Sequence, residues 1–362
     1  MLIRPPLVVE TLNSIPLHSG GVGVYTEKLL EAYVEELPEQ GGAFGLLDTW
    51  QGEAHWCRNF PRYRNFYGLP APETQDVILH IVSGFRSAFR NSAGQIGRFK
   101  SCRVVATHHD FIDLDYPWLF NEDELRIRRD AYNAFRSYEG FIVPWRGVAD
   151  RLSGDYNIAG DRIATIPHGN SQHLEIDADF SVVPEGRYIL YSGKLYPHKN
   201  WRRLLRACAA IADDFRNREV KLALVSADAN SMASELREEI EGGGIQDIVE
   251  ILPFVTNSQL AGLFAECSGY VFPSMAEGFG MPAFEVQAFG APICLSDIPV
   301  FRDVMSIGDY PATWFDPFSL ESMAEGMRRF LERIDEPRPT PFVRTWRTVA
   351  REHLDFIYGL AR

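Results

Sequence analysis

Two glutamates, Glu277 and Glu285, stand with seven residues between them around the turn Gly278-Phe279-Gly280-Met281-Pro282. The apolar run Tyr270-Val271-Phe272 comes just before. The turn is therefore expected to lead from a buried strand into a short helix, with Pro282 in its first turn and Gly290 at its end. Glycines let backbone approach a ligand closely, and the N–H groups that open a helix favour a phosphate. Carboxylates repel a phosphate but hold sugar hydroxyls through charge-assisted hydrogen bonds. This stretch thus suits a phosphorylated sugar; the alternative is a tight turn whose glutamates are a loop residue and a helix-dipole partner. Upstream, Lys194 and Lys199 follow the run Tyr188-Ile189-Leu190-Tyr191, as phosphate-binding cations or as a solvated face. In the first half, Thr107-His108-His109-Asp110 follows Val104-Val105-Ala106, and Gly21 and Gly23 open a helical segment after Leu7-Val8-Val9. A dinucleotide fingerprint needs a third glycine where Thr26 stands, so a dehydrogenase reading keeps only Asp48 in its favour.

The second-half stretch resembles the Glu-x7-Glu signature of the retaining GT-B glycosyltransferases, the family that includes glycogen synthases and bacterial mannosyltransferases. Phe272-Pro273-Ser274 before it and Gly290-Ala291-Pro292-Ile293 after it fit as well. Gly193-Lys194 through Lys199-Asn200 resembles the family's loop with two basic residues for the donor diphosphate, although Arg is commoner where Lys194 stands. The resemblance implies that Glu285 binds the ribose hydroxyls and that Glu277 lies by the transferred sugar. Gly278, Phe279, Gly280 and Met281 would offer N–H groups to the sugar and diphosphate. Lys194 and Lys199 would neutralise the leaving diphosphate, and the loop around Phe254 would face the base. Gly21 and Gly23 resemble the glycine-rich loop on the donor phosphates, and His109, aligned with the family's His-Asp pair, would contact the transferred sugar. His168 stands within the family's usual Pro-Asn-Gly turn and is expected to border the cleft.

Short apolar runs alternating with helical periodicity recur through both halves, as expected for parallel sheets covered on both faces. In such sheets ligands bind outside the carboxyl ends of the strands, where the residues above fall. The fold class expected is α/β, and the resemblance implies GT-B: two doubly wound parallel-sheet domains with a cleft between them. The boundaries expected are 1–178 for an acceptor-side domain, 179–341 for a nucleotide-sugar-binding domain, and 342–362 for a helix crossing back to the first. Leu174–Arg187, acidic and without periodicity, reads as the linker.

The chain has 362 residues and a formal net charge of −13, which argues against general nucleic-acid binding. Its five cysteines lack metal-ligand spacing, and no leader or membrane-spanning run is evident, so the expectation is a cytoplasmic protein. Asp113-Leu114-Asp115 imitates the metal-binding Asp-x-Asp of another glycosyltransferase fold but reads as loop or helix-start residues. Between Trp50 and Arg103, arginines including Arg58, Arg62 and Arg64 interleave with aromatics. That region is expected to meet a lipid-linked acceptor or the inner face of the cell membrane, or else to be an ordinary core with solvated arginines.

The reaction implied is transfer of a hexose, with mannose from GDP-mannose the donor expected, to a hydroxyl of a glycan or lipid-linked acceptor. It would retain configuration, need no metal or cofactor, and use same-face attack with the diphosphate taking up the proton. His109, Glu277 and Lys199 would be catalytic, with neither carboxylate the nucleophile. The alternatives are a sugar-nucleotide epimerase of the same fold or a non-catalytic sugar-nucleotide-binding protein.

Overall fold

The structure, a computed structural model, describes residues 7–10, 21–39, 44–47, 76–82 and 101–360. Twelve strands form two wholly parallel six-stranded sheets among these residues. Their sequences explain the arrangement. A strand covered on both faces can be a continuous apolar run, as in Tyr188–Tyr191 of β7 (Arg187–Ser192), Leu222–Val225 of β8 (Val220–Val225) and β10 (Gly269–Phe272), all of them buried.

The chain divides into two compact units, Met1–His168 with Thr345–Arg362, and Gly169–Arg344. In the first, β1 (Leu7–Glu10), β2 (Phe44–Leu47), β3 (Asp76–Ile81), β4 (Ser101–Thr107), β5 (Gly140–Val143) and β6 (Ile163–Thr165) lie in the order β2-β1-β3-β4-β5-β6. Val77, Leu79, Phe135, Phe141 and Leu152 are among its core residues. The helix Trp346–Gly359 closes this unit: Thr345 accepts from Thr348 N at its start, and Trp346, Val349, His353 and Ile357 are buried. It packs on the helix Gly21–Glu39, where buried Glu36 accepts from the guanidinium groups of Arg347 and Arg351.

In the second unit, β9 (Val249–Leu252), β8, β7, β10, β11 (Ile293–Ser296) and β12 (Thr313–Phe315) follow one another. Counted from β7, this is the 3-2-1-4-5-6 order of a doubly wound nucleotide-binding sheet, whose direction of winding reverses between β7 and β10. The division between units falls at His168–Gly169, upstream of the 178/179 boundary read from the sequence. Asn170 ties this stretch to the second unit: its side-chain amide donates to Phe342 O and Phe284 O, and its backbone N–H donates to Arg344 O at 2.9 Å. The segment read as a linker therefore belongs to the second unit. Among the described residues no helix is long and apolar enough to cross a membrane. Arg58, Arg62 and Arg64 lie outside the described residues.

Candidate functional site

Reversal of winding opens a crevice at the carboxyl ends of the two central strands, and the residues leaving β7 and β10 are the ones the sequence singled out. Past β7, Gly193 and Lys194 lead to Leu195, whose N–H donates to Asp228 and whose carbonyl accepts from the Trp201 indole. A 3-10 turn, Pro197–Lys199, follows and ends at Asn200 with φ of 60°. From this left-handed position the buried Asn200 amide donates to Pro273 O at 3.0 Å and Pro317 O at 2.8 Å. Met275 N donates to His198 O at 2.8 Å, so two bonds bind the lysine turn to the chain leaving β10.

That binding sets Lys199 Nζ 2.6 Å from Glu277 Oε1, with side-chain exposures of 17% and 9%. Lys199 Nζ also lies over the Phe272 ring at 5.3 Å. Lys194 takes a different course, its Nζ meeting Tyr196 Oη at 3.3 Å. Among the described residues Lys199 meets a glutamate and Lys194 meets a phenol. Burial and the neighbouring Lys199 hold His198 down at about 4, so it is neutral beside the lysine at pH 7.

Beyond Glu277 the chain passes Gly278 and Phe279 to Gly280, which opens the helix Met281–Glu285 with φ of 83°. Phe279 turns inward against Phe284, with ring centroids 5.2 Å apart. It therefore contributes backbone, not its ring, to the crevice. Met281 is buried at the first helical position, and Glu285 is buried at the last. Gln172 Nε2 donates to Glu285 Oε1, and His173 Nε2 lies 3.2 Å from Oε2. Phe254 follows β9 and is 67% exposed, as a loop residue available to stack would be. Ser226, where a glycine is common, accepts from Asp228 N and so shapes the residue that holds Leu195.

In the first unit, Gly21 and Gly23 stand in the first turn of their helix, Gly23 buried. His109 leaves β4 and meets Val82 O through Nε2 at 3.1 Å. A carbonyl only accepts, so Nε2 carries the hydrogen and Nδ1 is left as an acceptor. Burial pushes His109 down to about 4. The ring is thus a neutral hydrogen-bonding group, suited to a hydroxyl and unsuited to pairing with a phosphate. His108 has the opposite fate: it packs edge-on against Phe111 and Phe135 in the core, with centroids at 4.3 and 5.1 Å. Asp110 Oδ1 accepts from Ile112 N at the start of the short helix Ile112–Asp115. Asp113 is buried and accepts from Tyr132, and Asp115 pairs with Arg151, so both do structural work. His168, expected at the cleft, is buried against Tyr25 and Trp346 within the first unit, because the aromatic faces there cover it. Among the described residues no cluster of His, Cys, Asp or Glu could hold a metal.

Behind His109 runs a buried chain: Tyr25 Oη to Thr107 Oγ1, Thr107 Oγ1 to His80 Nε2, His80 Nδ1 to Tyr33 Oη, and Tyr33 Oη to His353 Nδ1. Burial holds His80 near 3. Both His80 and His109 are lowered from about 6.5, so the unfolded chain binds more protons as pH falls below that value. Their contribution is complete above about pH 6.5 and is lost progressively towards pH 4 for His109 and pH 3 for His80. Each histidine should remove about 1.4 kcal/mol per pH unit from the first unit's stability below pH 6. Urea melts between pH 7.5 and 4.5 should show that slope, and a flat profile would contradict the neutral assignment.

Two parallel-sheet units carrying these strand-end residues constitute the GT-B fold, and solved structures of low identity match nearly the whole chain. WaaG, a glycosyltransferase involved in lipopolysaccharide biosynthesis, aligns with a TM-score of 0.62 at 15% identity over 98% of this chain and 97% of its own. Anabaena Alr3699/HepE in complex with UDP-glucose aligns with a TM-score of 0.65 at 15% identity, over 99% and 96%. Within this fold, residues 174–339 match the model of the family described as "Glycosyl transferases group 1". The O-antigen chain mannosyltransferase RfbU of Salmonella typhimurium is 25% identical over 55% of this chain and 56% of its own length. The GDP-mannose:cellobiosyl-diphosphopolyprenol alpha-mannosyltransferase of Komagataeibacter xylinus is 31% identical over 57% and 50%. The chain thus spans about half the length of the curated relatives it matches.

Residue types alone did not point to Asp228, Gln172 or His173. The sole sequence signal was a polar Asn where the loop at Asn200 needs a left-handed residue.

Proposed function

We propose that this protein transfers a hexose from a nucleotide sugar to a hydroxyl of a glycan or lipid-linked acceptor in polysaccharide synthesis, retaining the anomeric configuration. The observation that carries the reading is the Lys199–Glu277 pair at the exit of the two central strands, followed by the helix that ends at Glu285. A cation and a carboxylate held side by side suit a diphosphate leaving from a sugar whose hydroxyls need acceptors. Lys199, with Lys194 on the same loop, takes the charge of the diphosphate. Gly278, Gly280 and Met281 present backbone to it, and Gly21 and Gly23 meet phosphate from the first unit. Glu277 accepts from the sugar, and Glu285 accepts from the ribose. His109, neutral and with Nδ1 as an acceptor, contacts a hydroxyl of the transferred sugar. Neither carboxylate is needed as nucleophile when the diphosphate oxygen takes up the acceptor's proton as it leaves. The residues provide charge neutralisation without a metal. GDP-mannose is the donor proposed, supported by the mannosyltransferase relatives. Membrane contact through Arg58, Arg62 and Arg64 is proposed for the lipid-linked case.

Calorimetric titration with GDP, UDP, dTDP and their common sugar conjugates tests the reading. Selective binding of GDP and GDP-mannose, with mannosylated product on adding acceptor, is the expected result. Binding with conversion of the donor and no acceptor would indicate an epimerase. Binding with no turnover would favour a non-catalytic protein, and no binding at all would remove the reading's basis.

A further inference from the structure

We infer that Gln172 and His173 aim the Glu285 carboxylate, and so set a preference for ribonucleotides over 2′-deoxyribonucleotides at the donor site. This rests on the reading that Glu285 meets the ribose. Glu285 is 6% exposed, and its two oxygens are engaged from one short segment more than a hundred residues away in sequence. The segment is itself anchored. Asn170 holds Phe284 O, the carbonyl just before Glu285, and Phe342 O. The His173 ring stands edge-on to Phe264 at 5.4 Å. His173 Nδ1 has no hydrogen-bond partner among the described residues, so the ring's polar contact is the one with Glu285.

The last torsion of a glutamate side chain is broad, so an unsupported carboxylate presents its lone pairs over a wide arc. A carboxylate offers about four acceptor positions. Gln172 and His173 engage one on each oxygen and fix the plane, which leaves one acceptor position on each oxygen. That pattern suits a vicinal diol, two donors on adjacent carbons. A 2′-deoxyribose supplies one donor and leaves a buried charged acceptor unmet, and an unmet buried group costs more than a met one gains. Gln172 and His173 are thus positioning residues: they act on the nucleotide through Glu285.

The test compares the affinities of GDP and UDP with those of their 2′-deoxy counterparts, by calorimetry on the full chain. The wild type, Glu285→Gln, Gln172→Leu and His173→Gln are measured, with circular-dichroism melts to establish that each is folded. The wild type is expected to favour the ribonucleotide by about tenfold or more, as for a hydrogen bond to a charged group. Glu285→Gln should bring the ratio close to one. Gln172→Leu and His173→Gln should each narrow it severalfold by weakening the ribonucleotide alone. Equal weakening of both nucleotides by the two supporting variants, with the ratio preserved, would overturn the inference while leaving Glu285 on the ribose. A wild-type ratio near one, or a ratio unmoved by Glu285→Gln, would remove the ribose reading and this inference together. Using both variants keeps the result decisive should one of them fail to fold.

Discussion

Lys199→Ala is expected to lower sugar transfer by about two to three orders of magnitude, the effect of removing one preorganised group that meets developing charge. The substitution also leaves Glu277, 9% exposed at its side chain, without its cation. Stripping one partner from a largely buried pair costs on the order of 3 kcal/mol in stability. The two losses are separable. The double variant Lys199→Ala with Glu277→Gln should recover much of the stability, because no uncompensated charge remains, and should recover none of the activity. Lys199→Arg keeps the charge but must fit a planar fork where a point charge sat, so partial activity is expected. Product formation from the sugar nucleotide, measured alongside urea melts, checks all three variants. Transfer within threefold of wild type in Lys199→Ala would remove the lysine from the leaving-group role.

Gly280→Ala is expected to destabilise the second unit by about 2–5 kcal/mol. Two penalties add. Gly280 has φ of 83°, and an added Cβ would lie 2.4 Å from Cε1 of Phe301. Phe301 is fully buried, with its ring 5.7 Å from that of Phe272, so it has little room to yield. Gly186 provides the control. Its φ is 84°, and an added Cβ would meet nothing within 4 Å, so Gly186→Ala should cost only the conformational share, about 1–2 kcal/mol. Thermal melts of the two variants side by side read the steric share as their difference. Equal costs would mean that Phe301 moves aside. Because Gly280 opens the helix that ends at Glu285, the same change should weaken nucleotide binding even where the protein remains folded.

The strands that the sequence revealed were those buried from end to end. Tyr188–Tyr191 and Tyr270–Phe272 are continuous apolar runs because both of their faces are covered. The strands β2, β6 and β12 each lie at a sheet edge. In β6 Ile163 and Ala164 are only partly buried and Thr165 is exposed, and the Trp314 ring of β12 lies beneath the Arg302 guanidinium, so neither strand is buried as an apolar run. The site shows the same limit. Glu277, Glu285 and Lys199 could be picked out by type and spacing. Their partners could not, because the Lys199–Glu277 contact depends on a left-handed Asn200, and Gln172 and His173 stand in a segment without periodicity. His108 and His109 are alike in sequence and opposite in environment. His108 N continues the ladder to Ile142 O while its ring enters the core, a distinction that only the tertiary fold makes.

The helix Trp346–Gly359 has a consequence for how the chain is made. The second unit is an insertion: its two ends are stitched together by Asn170 N to Arg344 O and Arg344 N to Asn170 Oδ1. A chain emerging from the ribosome can therefore complete the later unit before the earlier one. The Gly21–Glu39 helix, by contrast, gains its partner helix only when Arg347 and Arg351 are made and can meet Glu36. The half whose synthesis starts first is thus the half whose parts are complete last: a chain cut before residue 346 holds every residue of the second unit and lacks the cations that meet Glu36 in the first.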